Sequence, residues 1–274
     1  MKAWERIVIG ASMVIFVALL ALVYTLGALG YRVPPSTPRD LAMVYLTMTF
    51  NPSNPLFSAM APEAVTAIVW DYRGLDTLFE TAVFFLAIIA SVALMRGVSL
   101  PEKPPSSAEG MSLIVKTVTK LTIGMILAVA ASIAFHGHLT PGGGFQGGAT
   151  AAVAPLVALV VFSVYFLERS GVTKNRMLGL RSAGLLGIGL TAFLVLIGSL
   201  LSGGTAFVFQ NQPKPAAPIG LPWRIDGALT GGTLFLFNVF EALAVSAGFT
   251  IVFLLLAVPE EEAIKVVRGG EDGH

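Results

Sequence analysis

The sequence predicts an all-α integral membrane protein of about six transmembrane helices, and three observations carry that prediction. The 274 residues are 55% hydrophobic and only 12% charged, with mean hydropathy +0.81, whereas a soluble domain is roughly 25% charged. Apolar runs of about 20 residues, long enough to cross a bilayer, recur along the chain. Their connections are rich in proline and glycine, which interrupt helices. A net charge of +1 gives no basic face for nucleic acid and no acidic tail, so the partners expected are the lipid bilayer and other membrane subunits. The chain has no cysteine, which excludes disulfides, thiol nucleophiles and cysteine-ligated metal or iron–sulfur centres. No cofactor or metal is expected in it.

The first span is predicted near 7–29. Lys2 and Arg6 precede it as in a signal peptide, but the run is too long for one and no small-residue cleavage site stands before Tyr31-Arg32, so it is expected to be retained. Pro34, Pro35, Pro38, Pro52, Pro55 and Pro62 then rule out one continuous helix and predict an extramembrane loop between helices 1 and 2. A short helix from Ala64 to Trp70 leads through Asp71-Tyr72-Arg73-Gly74-Leu75-Asp76 into a second span near 77–95. Taken as one helix, Ala64 to Met95 would be about 48 Å long and would have to tilt or protrude. Gly97 to Gly110, with Pro101, Pro104, Pro105, Ser106 and Ser107, reads as a linker. The chain thus divides into a two-helix unit (1–96), a linker (97–110) and a four-helix unit (111–274), with spans near 117–136, 145–167, 180–201 and 229–258. With a cytoplasmic N-terminus, 12 of the 17 lysines and arginines fall inside and 5 outside, so both termini are expected in the cytoplasm and the turn from His136 to Gly144 outside.

Membrane chains keep ionisable groups where they are paired, wet or useful. Asp76 and Glu80 share a helix face, and Glu80 enters lipid depth with no positive neighbour in sequence. Asp71, Arg73 and Asp76 can also be read as a solvated cap bridged by Arg73. Glu241, expected near the middle of the last span with Asn238 on its face, must be neutral, paired or hydrated; it suits a cation or proton relay, or a helix-to-helix hydrogen bond made by the protonated acid. Lys116 and Lys120 either snorkel to headgroups or, for Lys120, balance a buried carboxylate. His136 and His138 can relay protons near neutral pH or bond the carbonyls of a helix end; two imidazoles fall short of a metal ligand set. Pro141 stops the third helix, Gly142, Gly143 and Gly144 permit a reversal before Phe145, and Gly147 and Gly148 allow a close helix approach. Gly179, Gly184, Gly187 and Gly189 suggest the same in the fifth span. A phosphate loop is excluded, because no Gly-Lys-Ser/Thr follows.

Lys116-Thr117-Val118-Thr119-Lys120, then Gly137-His138-Leu139-Thr140-Pro141-Gly142-Gly143-Gly144-Phe145-Gln146-Gly147-Gly148, and later Phe240-Glu241, resemble the B component of Mrp-type multisubunit sodium/proton antiporters over about residues 110–258. Val65 to Glu80, including Trp70-Asp71-Tyr72-Arg73-Gly74-Leu75-Asp76, resembles the carboxyl end of the large A component of those antiporters, or the small antiporter-like subunit of membrane-bound hydrogenases and sulfur-reducing complexes. Phe79 stands where that segment would have glycine. The resemblance implies a non-catalytic subunit that helps form a sodium or proton path, with hydrophobic antiporter-module subunits as partners and, in a respiratory host, peripheral nickel or iron–sulfur subunits. Its relay residues would be Asp76, Glu80, Lys120, His136, His138 and Glu241, the two glutamates half a membrane apart. The alternative is a scaffold in a stand-alone antiporter with no direct part in ion binding.

Overall fold

The computed structural model describes residues 3–27, 37–98, 100 and 110–269. Helices dominate because a chain in hydrocarbon must satisfy its backbone N–H and C=O groups internally. In chain order they are α1 (Ala3–Thr25), α2 (Asp40–Thr49), the single turn α3 (Ala64–Thr66), α4 (Gly74–Leu94), α5 (Leu113–Phe135), α6 (Gly144–Val161), α7 (Val164–Arg169), α8 (Lys174–Leu201), α9 (Thr233–Leu256) and α10 (Glu260–Gly269), with a small hairpin of β1 (Arg224–Ile225) and β2 (Ala228–Leu229) before α9. Six of them, α1, α4, α5, α6, α8 and α9, are long and apolar enough to cross a membrane. The protein is a multi-pass, all-α membrane protein.

By backbone packing the chain forms two units, Met1–Met43 and Val44–His274. This division follows compactness and not the two-plus-four grouping expected from sequence, most of whose linker (residues 99 and 101–109) lies outside the described residues. In the second unit α9 is the central post: half of its most apolar window is buried, against 11% for α4. α8 and α6 flank it, and α5 packs on α6. Trp70, Leu234, Phe237, Ile188 and Ala192 form the core near the start of α9, and Ala158, Val161, Phe162, Leu167 and Leu254 form another near its end.

The structure refines three expectations. Ala64 to Met95 is not one helix: α3 runs into a wider π-helical turn over Ala67–Tyr72, and Arg73 (φ −131°, ψ 33°) breaks the chain before α4. The widened turn lets Trp70 enter the core and stack on Phe237, with centroids 4.3 Å apart and planes 3° from parallel. The fourth span ends at Val161 and not at 167, because Ser163 takes φ +145° and its hydroxyl accepts from Phe166 N at 3.4 Å to start α7. The proline-rich segment holds a helix of its own, α2, where the chain has no proline between Pro38 and Pro52. Further on, Ser58 to Ala61 are fully buried.

Candidate functional site

The site forms where three distant segments meet at the N-terminal end of α9. α5 ends at Phe135, and His136 O accepts from Leu139 N (2.8 Å) and Thr140 N (2.9 Å) to turn the chain. Gly143 sits at φ +137°, where glycine is favoured. α6 then starts against α9: a Cβ on Gly144 would lie 2.6 Å from Asn238 O and 2.5 Å from Glu241 Oε2. Gly144 N donates to Asn238 Oδ1 at 3.2 Å. The segment before α4 closes the other side. Thr66 Oγ1 donates to Gly137 O at 2.6 Å, Glu63 N donates to His138 O at 3.1 Å, and the Glu63 carboxylate caps α3 by accepting from Thr66 N at 2.5 Å. Asn211 ties in the loop after α8, donating to Ala59 O and accepting from Thr233 N, both at 2.9 Å.

Between these segments lies a cavity of about 220 Å³ lined by Thr66, Trp70, Glu80, Gly143, Asn238 and Glu241. A smaller one of about 70 Å³ is lined by Glu80, Thr81, Phe84, Phe145, Glu241 and Val245. Glu80 and Glu241 therefore share one site and are not half a membrane apart. Glu241 lies about 12 Å along α9 at 1.5 Å per residue, roughly one turn before its midpoint. It is 8% exposed, while Glu80 is exposed on the protein surface. Glu80 is the charged group that faces Glu241, so two negative charges there would repel one another. Trp70, whose indole is the side-chain hydrogen-bond donor nearest the Glu241 carboxylate, and Asn238 both line the larger cavity, and Asn238 Nδ2 is buried with no hydrogen-bond partner among the described residues. Polar atoms of this kind suit a cavity that takes water.

The remaining sequence-predicted residues lie elsewhere. Asp76 pairs with Arg73 in an exposed ion pair, with Arg73 Nε donating to Asp76 Oδ2 at 2.6 Å; both border an open groove along α4 that also includes Glu80, Val83 and Ala87. Asp71 stands apart from that pair, with Lys214 as its charged neighbour, and burial pushes its carboxyl up to about 6. Lys120 is exposed on α5 and lines neither acid-bearing cavity. His136 is exposed, with Nδ1 on Ser132 O at 3.1 Å. His138 is buried, with Nε2 on Leu229 O at 3.1 Å and its ring edge-on to Phe235. Burial first, and His136 nearby, hold it below the ordinary histidine range against the opposing pull of Leu229 O. Among the described residues no three histidine, aspartate or glutamate side chains gather as a metal ion would need.

Gly147 and Gly148 lie against Ala134 of α5 and Ala242 O of α9, where a Cβ would come within 2.7 and 2.6 Å. In α8, Gly184 meets Phe240 O and Ala244, and Gly187 meets the Phe240 ring, whereas Gly179 and Gly189 have nothing within 4 Å. Glu63, Asn211 and Arg181 escaped the sequence reading as site residues. Arg181 carried a signal that charge counting hid, since it stands well inside an apolar span.

A family described as a domain related to the MnhB subunit of a Na+/H+ antiporter matches residues 114–251, half of the chain. The chain belongs to this MnhB-related family. The matched stretch holds the turn and Glu241; Glu80 precedes it. Relatives extend the likeness. The MnhB-related chain is 26% identical to the uncharacterised protein MJ1307 of Methanocaldococcus jannaschii over 77% of its own length and 82% of that protein. A chain of the membrane-bound sulfane sulfur reductase, an archaeal respiratory membrane complex, superposes with a TM-score of 0.57 at 26% identity, covering 90% of this chain and 97% of that one. A chain of the Mrp complex from Dietzia sp. DQ12-45-1b shares the fold, with a TM-score of 0.55 at 17% identity over 95% of this chain and 27% of that one.

Proposed function

We propose that this protein is a non-catalytic membrane component of an Mrp-type antiporter module inside a respiratory complex, and that Glu80 and Glu241 form a station on its sodium or proton path. The observation that carries the reading is the shared cavity: two carboxylates on different helices line one pocket that also holds the buried, unpartnered amide of Asn238. Two carboxylates on one cavity favour a bound cation or a shared proton, and either can be passed on. Family membership supports the antiporter module, and near-complete coverage of a sulfane sulfur reductase chain supports a respiratory host. The segment up to Glu80 is taken as a piece akin to the carboxyl end of the large A component of the antiporters. The partners are other hydrophobic module subunits, with peripheral redox subunits in such a host. The chain lies in the cell membrane with both termini cytoplasmic.

The test is Glu80→Gln and Glu241→Gln in the complex that copurifies with this chain, reconstituted into liposomes. Loss of gradient-coupled sodium or proton movement with assembly intact is the expected result. Normal transport in both variants would reduce the protein to a scaffold, and transport supported by this chain alone would contradict its role as one part of a larger module.

A further inference from the structure

Arg181 is 2% exposed inside the apolar α8, and ion pairs among the described residues do not include it. Its guanidinium lies over the Phe85 ring, 4.5 Å from the centroid, and Nη2 is buried without a hydrogen-bond partner. A buried arginine normally has an acid or several carbonyls to offset its desolvation; here the offset is a cation–π contact. Its location gives this arrangement a use. Phe84, Phe145 and Phe249 form a ring cluster with centroids 5.2 to 6.4 Å apart. Phe84 and Phe145 also line the small cavity with Glu80 and Glu241. Behind the cluster, Gly248 admits both Phe84 and Arg181: a Cβ there would lie 2.9 Å from Phe84 Cε1 and 3.6 Å from Arg181 Nε. From the glycine turn toward the C-terminal end of α9 the order is thus acid cavity, aromatic cluster, fixed positive charge.

We propose that Arg181 is the electrostatic stop of the acid cavity, barring cations and protons from crossing this protein along α9 and so sending them sideways at the exposed Glu80. The inference rests on the ion-path reading above. An unpaired positive charge in a low-dielectric wall repels cations strongly, and arginine serves as a proton and cation barrier in pores on the same physical ground. The aromatic cluster excludes water, and Arg181 makes any leak through it costly.

The experiment measures passive sodium uptake and proton leak, without an energy source, in liposomes holding the copurified complex. Arg181→Met, which keeps much of the stem and drops the charge, is expected to raise leak on the order of tenfold, while Arg181→Lys stays tight. Adding Glu241→Gln to Arg181→Met should suppress the leak if cations reach the gap through the acid cavity. Tight membranes with Arg181→Met overturn the stop while leaving the path itself to the glutamine variants. Leak that persists with Glu241→Gln means that Arg181 guards some other route, which also overturns the proposal. If Arg181→Met and Arg181→Gln both fail to assemble while Arg181→Lys assembles, the charge is a structural post and the proposal falls.

Discussion

Replacing Gly144 by alanine tests the geometry on which the candidate site depends. The new Cβ would fall 2.6 Å from Asn238 O and 2.6 Å from Glu241 Cβ. The first of these is main chain and cannot rotate away, so α6 and α9 must part by close to an ångström. Overpacking of a well-fitted contact costs about 1–3 kcal/mol, and the hydrogen bond from Gly144 N to Asn238 Oδ1, 3.2 Å long, would lengthen with it. Gly179→Ala is the internal control, because nothing lies within 4 Å of its Cβ position and an alanine in a helix interior is favoured over glycine by about 0.5–1 kcal/mol. The two changes add the same methyl group with opposite expected signs. Thermal unfolding of the detergent-solubilised complex, followed by intrinsic fluorescence, should show a midpoint several degrees lower for Gly144→Ala and unchanged or higher for Gly179→Ala. Coupled transport should fall further in Gly144→Ala than its stability alone explains, since the methyl group also crowds Glu241 Oε2. Equal midpoints for the two variants would refute the close α6–α9 approach.

Asp71 has a folded-state pKa of about 6 against an ordinary value of 3.8, so the folded protein holds this proton more tightly than the unfolded chain. Its contribution to stability is therefore greatest in acid and declines as pH rises from about 4 to about 6, by at most about 3 kcal/mol. Asp71→Asn should remove that decline from the unfolding midpoint, and a wild-type-like slope in the variant would contradict it. Breaking the exposed pair by Asp76→Asn should alter stability by less than about 1 kcal/mol, measured by the same unfolding assay. The chain has no cysteine of its own, so Val83→Cys reports cleanly on the groove beside Glu80, where Val83 is 68% exposed. A membrane-permeant maleimide should label it in the isolated chain and fail to do so in the assembled complex; equal labelling would mean that no neighbouring chain covers this face.

The span count was legible because spanning requires length and apolarity, and both are written in composition. The turn was legible too, since Pro141 and Gly142 to Gly144 can do little else. What sequence hid was depth. Nothing in a Pro-rich loop announces burial, yet Ala59, Met60 and Ala61 are fully buried, tied down by Asn211 from a loop far along the chain. No local pattern encodes a contact over that separation. The break at Arg73 was hidden for a related reason: Trp70 stacks on Phe237, and that tertiary contact compensates for a widened turn that helix propensity would never choose. Glu80 and Glu241 each stood out as acids in apolar surroundings, but their meeting depends on α4 packing against α9, which neither sequence neighbourhood announces.

One acid of the pair is enclosed and the other faces outward, and this asymmetry constrains any path. A carboxylate exposed to hydrocarbon at membrane depth costs several kcal/mol if charged, so Glu80 cannot stand ionised against lipid without penalty. The large Phe79 ring beside it, where the resembling segment would carry glycine, is itself 62% exposed, so a bulky side chain there creates no clash within this chain. Both features fit a surface completed by another protein of the complex and fit poorly with one bathed in lipid. On the proposed ion path, Glu241 would hold the inner half of a cation station whose outer wall belongs to a neighbour, and exchange would occur across the boundary between the two chains at Glu80. The proposed path would then be defined by neither glutamate alone, and conduction would require the assembled complex.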